Sequence, residues 1–309
     1  MLGPFSDYQD NPILVPGLDP NSFDSRAAFN PTVIKEEDTF YMFYRGENVE
    51  GCSRGMSGAI GLATGKDSLH FIKHREPVIV PDQDYDKYGC DDPRIVRIQD
   101  TYYLTYVGND GVYGKSTIRL ATSEDLYHWE KHGTILNPQA EWAKGQVKAG
   151  VIIAQKIGGR FIMYYLAERE PWKGRIGIAY SDDLLHWHEL GDKPVMSPRE
   201  GYFDSLGVEP GPTPVVTEEG IILIYGGWKE DWVYKVGEAL FSKEDPTRLL
   251  ERSEVPILSS AQNWGEFFGG IPNHAVPEGL VRDGKRWLLY YGAADKACCV
   301  AISEEGAEI

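Results

Sequence analysis

Basic residues are in short supply in this chain: 31 Lys and Arg stand against 47 Asp and Glu, a net charge of −16. A phosphate backbone is bound by Lys and Arg, so this balance argues against nucleic acid. It argues equally against an anionic membrane surface. Cysteine is scarce too. Cys52, Cys90, Cys298 and Cys299 include one adjacent pair and no CxxC spacing. A disulfide framework and a zinc site are therefore not expected, and reduced thiols in a cytosol fit better. No apolar run reaches membrane-spanning length. The first residues lack the basic-then-apolar order of a signal peptide, so a cytoplasmic location is expected. No long segment repeats its apolar residues every 3.6 positions, so helices should be few. No metal-ligand cluster or cofactor motif is evident.

What the chain has is aromatic and repetitive. It is 42% hydrophobic and 12% aromatic, enough for a sizeable core. Five units of about 60 residues start near positions 30, 92, 149, 212 and 272. Each runs strand, turn, strand, polar loop, strand, with hairpin turns such as Glu36-Glu37-Asp38, Gln99-Asp100 and Gly158-Gly159. The heptapeptide Ser-x-Asp-Leu-x-His-Trp at Ser123–Trp129 and Ser181–Trp187 reads as structural, its Trp packing between units. Five β-rich units predict an all-β, five-bladed β-propeller spanning 1–309 as one domain, because a closed ring leaves no bare strand edge. The fifth unit ends at the C-terminus, so ring closure should borrow a strand from the N-terminal segment, around Ile13–Val15.

In a propeller the innermost strands start together around one end of the channel. That places Asn30, Asp91, Asp92, Lys148, Glu209, Asn273 and His274 near one another. The segment Gly89-Cys90-Asp91-Asp92-Pro93-Arg94 carries two carboxylates at the mouth of a strand, where Asp is a poor strand former. It reads either as carboxylates presented into a cavity or as an Asx turn capping an ordinary strand. Convergence of five polar starts favours the cavity.

Several pieces, in order along the chain, resemble glycoside hydrolase family 130, the mannoside phosphorylases and β-mannosidases. They are Tyr44-Arg45, Asp91-Asp92-Pro93-Arg94-Ile95, Gly211–Pro214, Ile224-Tyr225-Gly226, Pro256-Ile257-Leu258, Ile271-Pro272-Asn273 and Tyr290–Asp295. The resemblance implies a five-bladed propeller, a β-mannoside oligosaccharide as substrate, and Asp92 as the acid that protonates the glycosidic oxygen through the sugar's own 3-hydroxyl. It places Arg45 and Asp295 around the terminal mannose. Asn30, Asp91, Arg94, Lys148, Asp204, Glu266 and His274 complete the expected sugar-binding set.

Two departures shape the expected reaction. Phosphorylases of the family carry a basic residue and a His that hold phosphate, and those positions are Gly207 and Gly226 here. Glu209 lies between them. A dianion in a dry site wants charge-assisted donors, so water is the expected acceptor. An inverting, exo-acting β-1,2-mannosidase follows, with Asp92 as acid and Glu209 as base, the pair leaving room for a water. Glu266, Glu238, Glu230 and Asp204 are weaker candidates for the base. The segments Trp228–Tyr234 and Trp264–Phe268 offer aromatic walls for the leaving group. The alternatives are a β-mannoside phosphorylase with an altered phosphate site, a furanosidase of the five-bladed arabinanase type, and a non-catalytic glycan-binding propeller. Asn30, standing where an arabinanase wants Asp, weighs against the furanosidase.

Overall fold

The computed structural model describes residues 1–48, 58–112, 116–258 and 270–304. Five antiparallel sheets form a five-bladed β-propeller. Blade 1 is built from Ala27–Glu36, Thr39–Glu47, Ala59–Gly65 and Ile72–Lys73. Blade 2 uses Gly89–Ile98, Thr101–Asn109, Thr117–Ser123 and Glu130–Thr134. Blade 3 uses Gln146–Ile152, Phe161–Glu168, Arg175–Ser181 and His188–Glu189. Blade 4 uses Gly207–Pro210, Ile221–Trp228, Lys235–Phe241 and Leu249–Arg252, with Val215–Val216 added beside its second strand. Blade 5 uses Ala275–Asp283, Arg286–Ala293 and Ala297–Glu304, and the N-terminal strand Ser6–Asp7 completes it. The ring therefore closes through the N-terminus. The regular strand lies earlier than expected, and Leu14 adds an isolated bridge to Cys298.

Alternating strand residues put apolar side chains on both faces of each blade, and five large clusters fill the gaps between blades. Phe43, Ile60 and Leu62 of blade 1 meet Ile95, Tyr102 and Leu104 of blade 2. Ile118 and Leu120 meet Ile152, Met163 and Trp187 between blades 2 and 3. The two heptapeptides serve this packing. Ser123 and Ser181 accept backbone N–H groups from Leu126 and Leu184, and Trp129 stands edge-on to Phe43 of the preceding blade.

Each blade also carries a polar fastener. A Tyr from its second strand donates to a carboxylate, and in three blades a cation joins them. Tyr44 donates to Asp24 at 3.0 Å beside Lys73, and Tyr106 to Asp86 at 3.0 Å beside Lys131. Tyr225 donates to Asp204 at 2.7 Å beside Arg252, Tyr291 to Asp7 at 2.6 Å, and Tyr165 to Glu189 at 3.4 Å.

The innermost strands of blades 1, 2 and 3 share one more feature. Their pairing slips between Phe29 and Thr32, between Asp91 and Arg94, and between Lys148 and Val151. In each slip one residue is left-handed: Asn30, Asp92 and Ala149, all with φ between 50° and 51°. Such bulges re-aim a side chain out of the sheet's alternation. Asn30 and Asp92 thereby turn into one cavity.

Candidate active site

A cavity of about 370 Å³ is lined by Arg26, Asn30, Arg45, Glu47, Asp92, Lys148, Glu209, His274 and Asp295, with aromatic rings above them. The propeller end thus gathers Asn30, Arg45, Asp92, Lys148, Glu209, His274 and Asp295 as the sequence led one to expect.

Asp92 lies at the centre of the charge. Its Oδ1 accepts from Asn30 at 2.7 Å and from Arg45 at 3.3 Å. Burial pushes the Asp92 carboxyl up, but Arg45, Lys148, Arg94 and the Asn30 hydrogen bond outweigh it and hold it below the usual carboxylate range. Arg45 is clamped by Glu47 at 2.8 Å and Asp91 at 3.3 Å, and its guanidinium lies over the Phe29 ring. Burial works against its charge, and Asp91, Glu47, Asp92 and Asp295 restore it. Asp91 thus backs Arg45 and is not part of the cavity wall. Glu47 and Arg26, which pair at 3.0 Å, were not anticipated from sequence.

Opposite stands the Lys148–Glu209 pair, 3.1 Å apart. Burial disfavours the ammonium, yet Glu209, Asp92 and Glu168 raise its pKa above the ordinary lysine value. Tyr234 Oη donates to the same Glu209 oxygen at 2.8 Å. His274 accepts the Tyr234 backbone N–H on Nδ1 at 3.2 Å, which leaves Nε2 to donate to Asp295 at 3.4 Å. Burial raises the Asp295 carboxyl; His274 and Arg45 more than reverse this, leaving it below its ordinary value.

Three expectations need correction. Arg94 does not reach the cavity: it is buried beneath it, where its Nε donates to the Gly211 carbonyl at 2.7 Å and its Nη1 meets Glu278 at 2.6 Å. Glu278, fully buried, is a partner that nothing in its own segment announced. Asp204 is no sugar ligand but the carboxylate of the blade 4 fastener, held by Arg199, Arg252 and Tyr225. A signal existed for it: Phe-Asp-Ser precedes the inner strand twice, at Phe23-Asp24-Ser25 and Phe203-Asp204-Ser205, and both Phe rings stack on the fastener Tyr. Among the weaker candidates for the base, Glu238 accepts the Leu2 backbone N–H at 2.7 Å and Glu230 lies exposed. Glu266 and the segment Trp264–Phe268 lie outside the described residues.

The two glycines at the expected phosphate positions have a packing reason. A Cβ on Gly207 would stand 2.0 Å from the Trp228 ring, and one on Gly226 would stand 2.8 Å from Tyr234. Those rings stack on each other with centroids 4.5 Å apart. The space beside the two glycines is filled by an indole–phenol pair, and the phenol hydroxyl enters the site as a neutral donor.

Fold and cavity together define a class: a β-propeller that processes glycosides. The chain belongs to glycoside hydrolase family 130, whose model, described as β-1,4-mannooligosaccharide phosphorylase, matches residues 15–307. It is 31% identical to a 1,2-β-oligomannan phosphorylase of Thermoanaerobacter sp. (strain X514), over 96% of this chain and 95% of that one. It is 33% identical to a β-1,2-mannobiose phosphorylase of Listeria innocua, over 79% of this chain and 67% of that one. A solved structure described among the family's glycoside hydrolases that target β-1,2 mannosidic linkages in Candida mannan has a TM-score of 0.87 and 28% identity, covering 100% of this chain and 96% of that chain. The curated relatives that match 79–96% of the chain are named phosphorylases, which favours phosphorolysis over the hydrolysis expected from sequence. That expectation counted the cations missing at Gly207 and Gly226; the ammonium of Lys148 reaches Glu209, between those positions in sequence, from the neighbouring blade.

Proposed function

We propose that the protein removes the terminal unit of β-mannosides with inversion, β-1,2 linkages foremost, and that inorganic phosphate is the acceptor, giving α-mannose 1-phosphate. The observation that carries this reading is a carboxylate placed as the acid, Asp92, and a half-buried cation, Lys148, facing one cavity in a chain that matches curated phosphorylases over 96% of its length. Asp92 protonates the departing oxygen, by way of the sugar's 3-hydroxyl on the family pattern. Against burial, Arg45, Lys148 and Arg94 pull the free carboxyl toward its ionised form, and a bound phosphate dianion beside Lys148 offsets part of that pull and favours the proton on Asp92. Arg45 and Asp295 orient the terminal sugar, with His274 holding Asp295. Lys148 and the Tyr234 hydroxyl are the donors for phosphate, which attacks the anomeric carbon from the face opposite the leaving oxygen.

One observation favours a second reading, hydrolysis. Among the described residues lining the cavity, Arg26, Arg45 and Lys148 face Glu47, Asp92, Glu209 and Asp295, and each of these cations has a carboxylate within 3.3 Å. In that reading Glu209 is the base that activates water. The test is product analysis with β-1,2- and β-1,4-mannobiose, with and without phosphate. Phosphate-dependent α-mannose 1-phosphate supports the proposal. Mannose released as the α-anomer at an unchanged rate without phosphate replaces it by hydrolysis.

A further inference from the structure

Two tryptophans at the cavity mouth combine a left-handed backbone with exposure, whereas the left-handed Leu126 and Leu184 are buried in the core. Trp172 comes from the connection between the second and third strands of blade 3, and Trp232 from the same connection in blade 4. Both are left-handed, with φ of 68° and 62°. A bulky side chain rarely adopts that conformation, which costs roughly 1–2 kcal/mol per residue. Burial does not offset it, because the two residues remain 46% and 42% exposed. The surroundings hold them there. The Trp172 carbonyl accepts from the indole of fully buried Trp228 at 3.0 Å, and its N–H reaches Glu168. A turn fixes Trp232 through its own N–H to the Lys229 carbonyl at 3.1 Å. The two indoles meet edge to face, with centroids 5.0 Å apart and planes at 61°. Both line the cavity that holds Asp92 and Glu209.

We infer that Trp172 and Trp232 form the platform for the leaving-group sugar, a pyranose ring whose C–H face stacks on an indole. The inference rests on the β-mannoside reading and deepens it. Strain at two half-exposed aromatic residues points to a ligand, because the fold pays for it without gaining core. The chemistry points to a sugar. The mouth offers aromatic faces above a floor crowded with charge, and a pyranose has an apolar C–H face and polar hydroxyls to match both. The platform thus sets what the enzyme accepts beyond the bond it breaks.

The test compares β-1,2-mannobiose with β-mannosyl fluoride, whose leaving group is too small to stack. Trp172→Ala, Trp232→Ala and the double variant are assayed on both, with Trp172→Phe and Trp232→Phe as controls that keep a ring. Each alanine variant is expected to lose up to about tenfold more kcat/KM on mannobiose than on the fluoride, and the Phe variants to restore most of the difference. Wild type should show a tryptophan fluorescence change on adding mannobiose that mannose does not give. Wild type that cleaves both substrates, with equal losses on both in the double variant, overturns the platform alone. Wild type that cleaves neither sinks the β-mannoside reading and the platform with it.

Discussion

Replacing Glu209 by Gln separates the two acceptors, because they demand opposite results. Gln keeps the shape and an oxygen for the Tyr234 hydroxyl, now 2.8 Å from Glu209, and removes only the charge. A unit charge about 4 Å from another interacts by roughly 4 kcal/mol at an effective dielectric near 20. Repulsion between Glu209 and a phosphate oxygen is at most of that order, about a thousandfold in affinity at 1.4 kcal/mol per decade. Glu209→Gln also releases Lys148 from a partner 3.1 Å away. If phosphate attacks, the variant should bind phosphate at least about tenfold more tightly, since even a third of that repulsion is a decade. Turnover of mannobiose should survive. The assay is initial-rate formation of mannose 1-phosphate over a phosphate series. Loss of turnover at every phosphate concentration, with rescue by azide, would refute the phosphate reading and make Glu209 the base for water.

Three further outcomes follow from the geometry. Asp92→Asn should lower turnover of mannobiose by about 10²–10⁴-fold while leaving the melting temperature close to wild type; a loss below tenfold would remove Asp92 as the acid. Arg94→Ala strips the partner from fully buried Glu278, and urea denaturation should show a loss of about 3–5 kcal/mol; stability within 1 kcal/mol of wild type would contradict a structural pair. Deleting residues 1–15 removes Ser6–Asp7 and the buried Phe5 and Leu14. At roughly 1.5–3 kcal/mol for each large apolar side chain, this should lower the melting temperature of the whole ring, and an unaltered transition would show that the ring closes without that segment.

The fold was legible because its determinants are local. Period-two strands and turn residues appear in any short window of the chain, their recurrence about every 60 positions counts the blades, and closure of the ring follows from that count. The placement of Asp92 in the cavity was legible for a related reason: a strand mouth is a place in the repeat. Partnerships across blades were not. Arg94 looked like a sugar ligand because its partner Glu278 lies 184 positions away, inside a strand whose neighbours are apolar. Asp204 looked like a candidate until the second Phe-Asp-Ser showed it to be a blade fastener. Gly207 and Gly226 looked like losses of charge, and are spaces for the Trp228 and Tyr234 rings. Trp172 and Trp232 sit in separate loops, and only the ring brings them together.

The left-handed bulge shared by Asn30, Asp92 and Ala149 has an evolutionary consequence. Three adjacent blades repeat the same backbone turn: two of them hold an amide and a carboxylate over one cavity, and the third tucks the Ala149 methyl into the core beside Trp228 and Tyr234. The architecture therefore separates the question of where a reactive group can stand from the question of which group stands there. A chain of this kind can exchange its chemistry one codon at a time, moving a carboxylate between the Asn30 and Asp92 positions, without renegotiating a single strand.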